Sequence, residues 1–191
     1  MSIFDSIRSV GKKVEETAKA AFTKDVKKET FTIASLPESV DELMALPEAS
    51  LDTPFKTAAL TVCALCAFAA DAKIGEAMLN ALKGPESLSP FDLSFLKDRF
   101  TGKAYVPFSY FDGATPDNGY TPNEPFTVSV SSNPYSYQNE NYAVLYITSG
   151  GADSPRPVTL RCKPSTGKWY LKEYQGLTAD IRIPKSEDPW A

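Results

Sequence analysis

Histidine is absent from all 191 residues. That excludes Ser-His-Asp and Cys-His nucleophilic catalysis, histidine-ligated zinc and haem, and imidazole pH switching. Cysteine is scarce, with three residues, an odd number that makes no disulfide framework. Long apolar runs are missing as well. The longest, residues 58–70, is broken by Thr61 and closed off by Lys56 and Asp71, short of the roughly 20 residues a spanning helix needs. A secretory signal needs an apolar core of roughly 7–15 residues, and charges interrupt residues 1–29 from Asp5 onward. These absences predict a cytoplasmic protein. No Lys/Arg run occurs, and 20 basic against 24 acidic residues give a net charge of −4, which argues against nucleic acid as a partner.

What is present suffices for a sizeable core: 42% hydrophobic and 23% charged residues over a length that suits one domain, with or without an appendage. Residues 1–28 read as one amphipathic helix. On a helical wheel Ile3, Phe4, Ile7, Val10, Val14, Ala18, Ala21 and Phe22 share an arc of about 120°. The alternation Thr30-Phe31-Thr32-Ile33 predicts an edge strand. Ser39-Val40-Asp41-Glu42 fits a capping box opening a short helix that ends before Pro47. Thr53-Pro54 opens a second helix running to about Ala70, a third spans about Ala72–Lys83 and stops at Gly84-Pro85, and Ser89-Pro90 opens a fourth reaching about residue 100.

Composition then changes. All nine tyrosines, both tryptophans and ten of the fifteen prolines follow residue 104, whereas fifteen of twenty-one alanines precede it. Period-two patterning predicts strands at 126–131 and 158–163, apolar residues on both faces a central strand at 142–148, and the turn at 164–167 a hairpin partner at 169–174, with 181–183 as a short last strand. The expectation is α+β: an N-terminal helical half packed on a C-terminal antiparallel meander of four to five strands, with helices over about 39–100 and strands over about 126–183. Residues 1–29 form an amphipathic helical appendage, and residues 30–191 a single α+β domain.

Motifs that carry chemistry are weak. Cys63 and Cys66 lie mid-helix among apolar residues, where thiols stay inert. Three Ser-x-x-Lys matches, at Ser9, Ser94 and Ser165, lack a Lys-Thr-Gly companion and read as chance. The Gly-Lys pairs at 102–103 and 167–168 lack the rest of a phosphate loop. The segment 103–125 is long for a loop and too aromatic for a linker. Its aromatics either pack over the helices or line a groove for a sugar or peptide, with Tyr110, Asp112, Asp117, Tyr120 and Glu124 as the candidate contacts. The carboxylate spacing misses the calcium-loop pattern, so neither metal nor cofactor is expected. Arg156 and Arg182 suit a ligand anion or pairing with Asp153, Asp180 or Glu187. The terminal Asp188-Pro189-Trp190 suggests a tail docking into the core.

Several longer stretches share a likeness: Leu51-Asp52-Thr53-Pro54-Phe55-Lys56-Thr57-Ala58-Ala59-Leu60, Leu82-Lys83-Gly84-Pro85, Leu88-Ser89-Pro90, Pro107-Phe108-Ser109-Tyr110-Phe111-Asp112-Gly113-Ala114-Thr115-Pro116, Ala152-Asp153-Ser154-Pro155-Arg156-Pro157 and Asp188-Pro189-Trp190. Together they resemble an uncharacterised family of Firmicutes proteins, many from gut bacteria, classed as a domain of unknown function, over roughly residues 36–191. The resemblance implies a bacterial cytoplasmic protein and one α+β unit. It brings no activity, cofactor or catalytic residue with it.

Two functional readings follow. The first is a non-catalytic binding or interaction module, tethered to a protein partner or a membrane surface through Ile3, Phe4, Ile7, Val10, Val14 and Phe22. Residues 1–29 carry seven basic and five acidic side chains, so electrostatic attraction to an anionic surface supplies only roughly 2 kcal/mol and the apolar face must supply the rest. The second is a carboxylate-based hydrolase or transferase acting on a glycan or peptide at 103–125, since paired carboxylates work without histidine.

Overall fold

A computed structural model describes residues 26–190. Nearly all of the amphipathic segment, including Ile3, Phe4, Ile7, Val10, Val14 and Phe22, lies outside the described residues. Among the described ones the chain runs β1 (Lys28–Ile33), α1 (Val40–Ala45), α2 (Pro54–Ala70), α3 (Ala72–Lys83), α4 (Pro90–Phe100), α5 (Tyr105–Phe108), then β2 (Phe126–Ser131), β3 (Tyr142–Ile147), β4 (Arg156–Lys163) and β5 (Lys168–Glu173). The five strands form one antiparallel sheet in the order β1-β2-β3-β4-β5. This is an α+β architecture, as the composition change predicts.

The period-two pattern sorts the strands' side chains onto two faces. Phe31 opposes Val128, Val130 opposes Ile147, Leu145 opposes Val158 and Leu160 opposes Leu171, so one face is continuous hydrocarbon and fully buried. Helix α2 lies across it and touches all five strands. Thirteen of its seventeen residues are buried, because α3 covers its other side. A helix enclosed from both sides has no polar stripe, which explains the run 58–70. Its two buried threonines are satisfied: Thr57 Oγ1 donates to Trp169 O at 2.8 Å and Thr61 Oγ1 to Thr57 O at 2.8 Å. Among the described residues no helix is long and apolar enough to cross a membrane.

The helix boundaries follow local chemistry. Thr53 caps α2 with Pro54 at its first position. Asp71 alone separates α2 from α3; its N–H closes the first helix on Ala67 O, and its carboxylate accepts from Lys73 N and Ile74 N to open the second. So tight a corner forces the helices together, and Gly75 sits where a Cβ would lie 2.1 Å from Phe68 Cα. Helix α4 carries a full capping box: Ser89 Oγ accepts from Asp92 N at 3.1 Å, and Asp92 Oδ2 accepts from Ser89 N at 2.9 Å.

Several expectations are corrected. The sheet reaches five strands through β1, not through 181–183: there Arg182 N donates to Gly151 O, but the segment is not a strand, and Pro184 has no N–H to extend a ladder. Lys28 and Glu29 pair with Ser131 and Val130, so the domain takes in two residues assigned to the appendage; backbone pairing runs on past the side-chain alternation. Glu42 Oε2 accepts from Glu38 N rather than from Ser39 N, which leaves only half of the expected box at α1. Segment 103–125 is not irregular throughout, since it holds α5 and a 3₁₀ turn at Pro116–Asn118. The tail does not dock: Trp190 is 93% exposed and its N–H is taken by the Asp188 carboxylate next to it.

Candidate functional site

Of the five candidate contacts in 103–125, Tyr110 and Tyr120 are buried and their hydroxyls are already committed, Tyr110 to Leu177 O at 2.9 Å and Tyr120 to Arg182 O at 2.5 Å. Burial pushes both phenols up, that of Tyr120 to about 12. They pin the C-terminal strap of the chain to the body. Tyr110 and Asp112 border a small cleft of about 140 Å³ together with Ser129, Thr148 and Ser149. Asp117, Tyr120 and Glu124 do not line it, and Asp117 is paired with Lys185 at 3.2 Å. Acid–base work by two carboxylates needs both across one bond, and this cleft holds one. The two arginines pair with acidic neighbours, Arg156 with Asp180 at 2.7 Å and Arg182 with Asp153 at 2.5 Å. Among the described residues, no group of three or more Cys, Asp or Glu is placed to hold a metal ion.

A different constellation forms at the β4–β5 end of the sheet. On β4 the alternation puts Arg161 and Lys163 on one face, and register places Tyr170 opposite Arg161 across the hairpin. Lys172, two residues on, shares that face. Helix α3 ends beside it: Gly84 turns the chain at φ +63, and a side chain there would meet the Tyr170 ring at 2.5 Å, so only glycine fits. The turn then presents Glu86. Its Oε1 accepts from Arg161 Nη1 at 3.0 Å and its Oε2 from Lys172 Nζ at 2.7 Å. The last helical residue, Lys83, is 8% exposed and donates to Lys172 O at 3.4 Å.

These groups enclose a cleft of about 210 Å³ whose walls also include Cys162, Pro164, Tyr170 and Leu171. The hydrogen bond from Lys172, helped by the positive charges of Lys172, Arg161 and Lys83, holds the Glu86 carboxyl below its ordinary 4.5. Arg161 also lies 5.5 Å from the centre of the Tyr142 ring, its cross-strand neighbour on β3, a cation–π contact. Four cations and one carboxylate line the cleft, in a chain whose net charge is −4. Exposed ion pairs of this sort contribute only about 0–1 kcal/mol each to stability, so fold stability does not account for the crowding. Fixed cationic donors beside apolar and aromatic walls are groups for recognising an anion.

Sequence reasoning missed this site. Its residues come from positions 83–86, 161–164 and 170–172, with no basic run to flag them. One signal was within reach: the alternation of Arg161 and Lys163, folded back through the Pro164–Gly167 turn, puts Lys172 on the same face. The thiols behave as their surroundings predict. Cys63 and Cys66 are buried, and desolvation raises both, Cys63 to about 12, while Cys162 at the cleft is half-buried. A larger apolar recess of about 350 Å³ lies beside Leu36, Ala67, Ile74 and Phe108, and it gathers no comparable set of charged groups.

An α+β domain with a β-meander packed on one central helix and a cationic cleft at the sheet's end is the class that fold and site define. The chain belongs to the family of the domain of unknown function DUF6935, whose model matches residues 35–185. That span includes every residue of the cleft and leaves β1 outside. No curated protein and no solved structure matches the chain.

Proposed function

We propose that this is a non-catalytic binding domain whose ligand is anionic and enters the cleft between the Gly84–Leu88 turn and the β4–β5 hairpin. The observation that carries the reading is the gathering of Lys83, Arg161, Lys163 and Lys172 at one cleft whose single carboxylate, Glu86, pairs with two of them, Arg161 and Lys172. In the same reading the amphipathic segment 1–28 is an attachment to a protein partner or a membrane surface, and the protein works in the cytoplasm.

Thermal unfolding of the full chain provides the test. At fixed ionic strength pyrophosphate should raise the midpoint, because a ligand bound by the folded state alone stabilises it. The rise should vanish in Arg161→Met. A midpoint indifferent to pyrophosphate refutes the cleft as an anion site. For the attachment, full-length protein should float with liposomes while a 26–191 form stays behind; equal behaviour of the two removes the membrane arm.

A further inference from the structure

We propose, building on the cleft reading above, that the ligand is a small organic dianion carried on a flat apolar body, and that Lys83 is its deepest contact. The first ground is Lys83 itself. Among the described residues its ammonium makes one long hydrogen bond, 3.4 Å to a carbonyl, and no ion pair, although the residue is 8% exposed. Glu86 and Asp92 feel its charge without closing on it as an ion pair, and three donors on the ammonium leave capacity for a ligand oxygen.

The second ground is the charge count. Lys83, Arg161, Lys163 and Lys172 against Glu86 leave three positive charges uncompensated at the lining. A monoanion balances one of them, whereas a phosphate monoester or a dicarboxylate balances two and offers enough oxygens for several donors at once. The third is the wall. Pro85, Pro164, Tyr170 and Leu171 give hydrocarbon and a ring face, which a bare inorganic ion would leave without a partner. A space of about 210 Å³ is below the range of drug-sized sites and suits a metabolite-sized molecule rather than a polypeptide strand.

The probes are phenyl phosphate, phthalate, benzoate and inorganic phosphate, titrated by calorimetry into the full chain at constant ionic strength. Phenyl phosphate or phthalate should bind about tenfold or more tightly than benzoate, and than inorganic phosphate, each tenfold step being one decade in Kd. Whichever of the two leads identifies the anion as phosphate or dicarboxylate. Lys83→Met should weaken the leading probe by about tenfold or more, the loss expected for a charge-assisted contact. Glu86→Gln, which removes the internal competitor, should tighten it, so the proposal stays testable if Lys83→Met does not fold. Benzoate binding as tightly as phenyl phosphate and phthalate, with Glu86→Gln giving no gain, overturns the dianion assignment but leaves the anion cleft standing. No heat from any probe, together with an unfolding midpoint indifferent to pyrophosphate, overturns both.

Discussion

Replacing Gly75 with alanine sets sequence logic and structure against each other. Gly75 lies in helix α3, and by propensity alone Gly→Ala inside a helix stabilises by about 1 kcal/mol. The structure predicts the opposite sign. A methyl at Gly75 would sit 2.1 Å from Phe68 Cα, 2.2 Å from Phe68 N and 2.3 Å from Phe68 Cβ. Two of these three atoms are backbone of the most buried helix, so no rotamer change relieves the overlap. The one-residue link at Asp71 also denies the helices room to slide apart. Overpacking of this kind costs about 3 kcal/mol or more, which leaves a net loss of about 2 kcal/mol after the propensity gain. For a domain of this size each kcal/mol moves Tm by roughly 2–4 °C, so Gly75→Ala should melt about 4–8 °C below wild type. Thermal unfolding by circular dichroism, with urea unfolding to check that the slope is unchanged, reads it directly. A Tm equal to or above wild type would refute the close packing of α2 on α3.

Three further outcomes are expected. Burial raises the Asp92 carboxyl, but the hydrogen bonds from Ser89 and Tyr174 together outweigh it and hold the group below its ordinary 3.8. A depressed folded value means the stabilisation is present above about pH 3.8 and is lost as pH falls through the folded value. Asp92→Asn should therefore cost about 1 kcal/mol at neutral pH, and urea unfolding should show the gap to wild type narrowing towards pH 3. Tyr110→Phe and Tyr120→Phe each remove a hydroxyl bonded to a backbone carbonyl; each should lower unfolding free energy by about 1–2 kcal/mol and leave anion titrations of the cleft unchanged. Native protein should take up one equivalent of iodoacetamide quickly, and Cys162→Ser should abolish it. Rapid loss of two or three thiols would contradict the burial of Cys63 and Cys66 in α2.

The local elements were legible because their causes are local. The caps Thr53, Asp71 and Ser89, with proline at the first turn of α2 and α4, fix where α2, α3 and α4 begin, and alternation fixes β2 and β4. The central place of β3 followed from its being apolar on both faces. Chemistry was harder to read. Tyr110 and Tyr120 attracted attention as loop aromatics, yet burial with a satisfied hydroxyl gives such residues a structural task, and only long-range contacts with Leu177 and Arg182 reveal it.

By itself, then, the sequence determined what one residue and its near neighbours decide: helix starts, strand periodicity, the inertness of mid-helix thiols, and the exclusion of histidine chemistry. Tertiary structure decided what depends on residues distant along the chain. It joined β1 to β2 across nearly a hundred residues, showed why Gly75 has no side chain, and gathered Lys83 and Glu86 with Arg161 and Lys172. The physical reason is range. Capping and period act through bonds within a turn, whereas a charged cleft exists only once packing of apolar faces has fixed which strand lies beside which helix end.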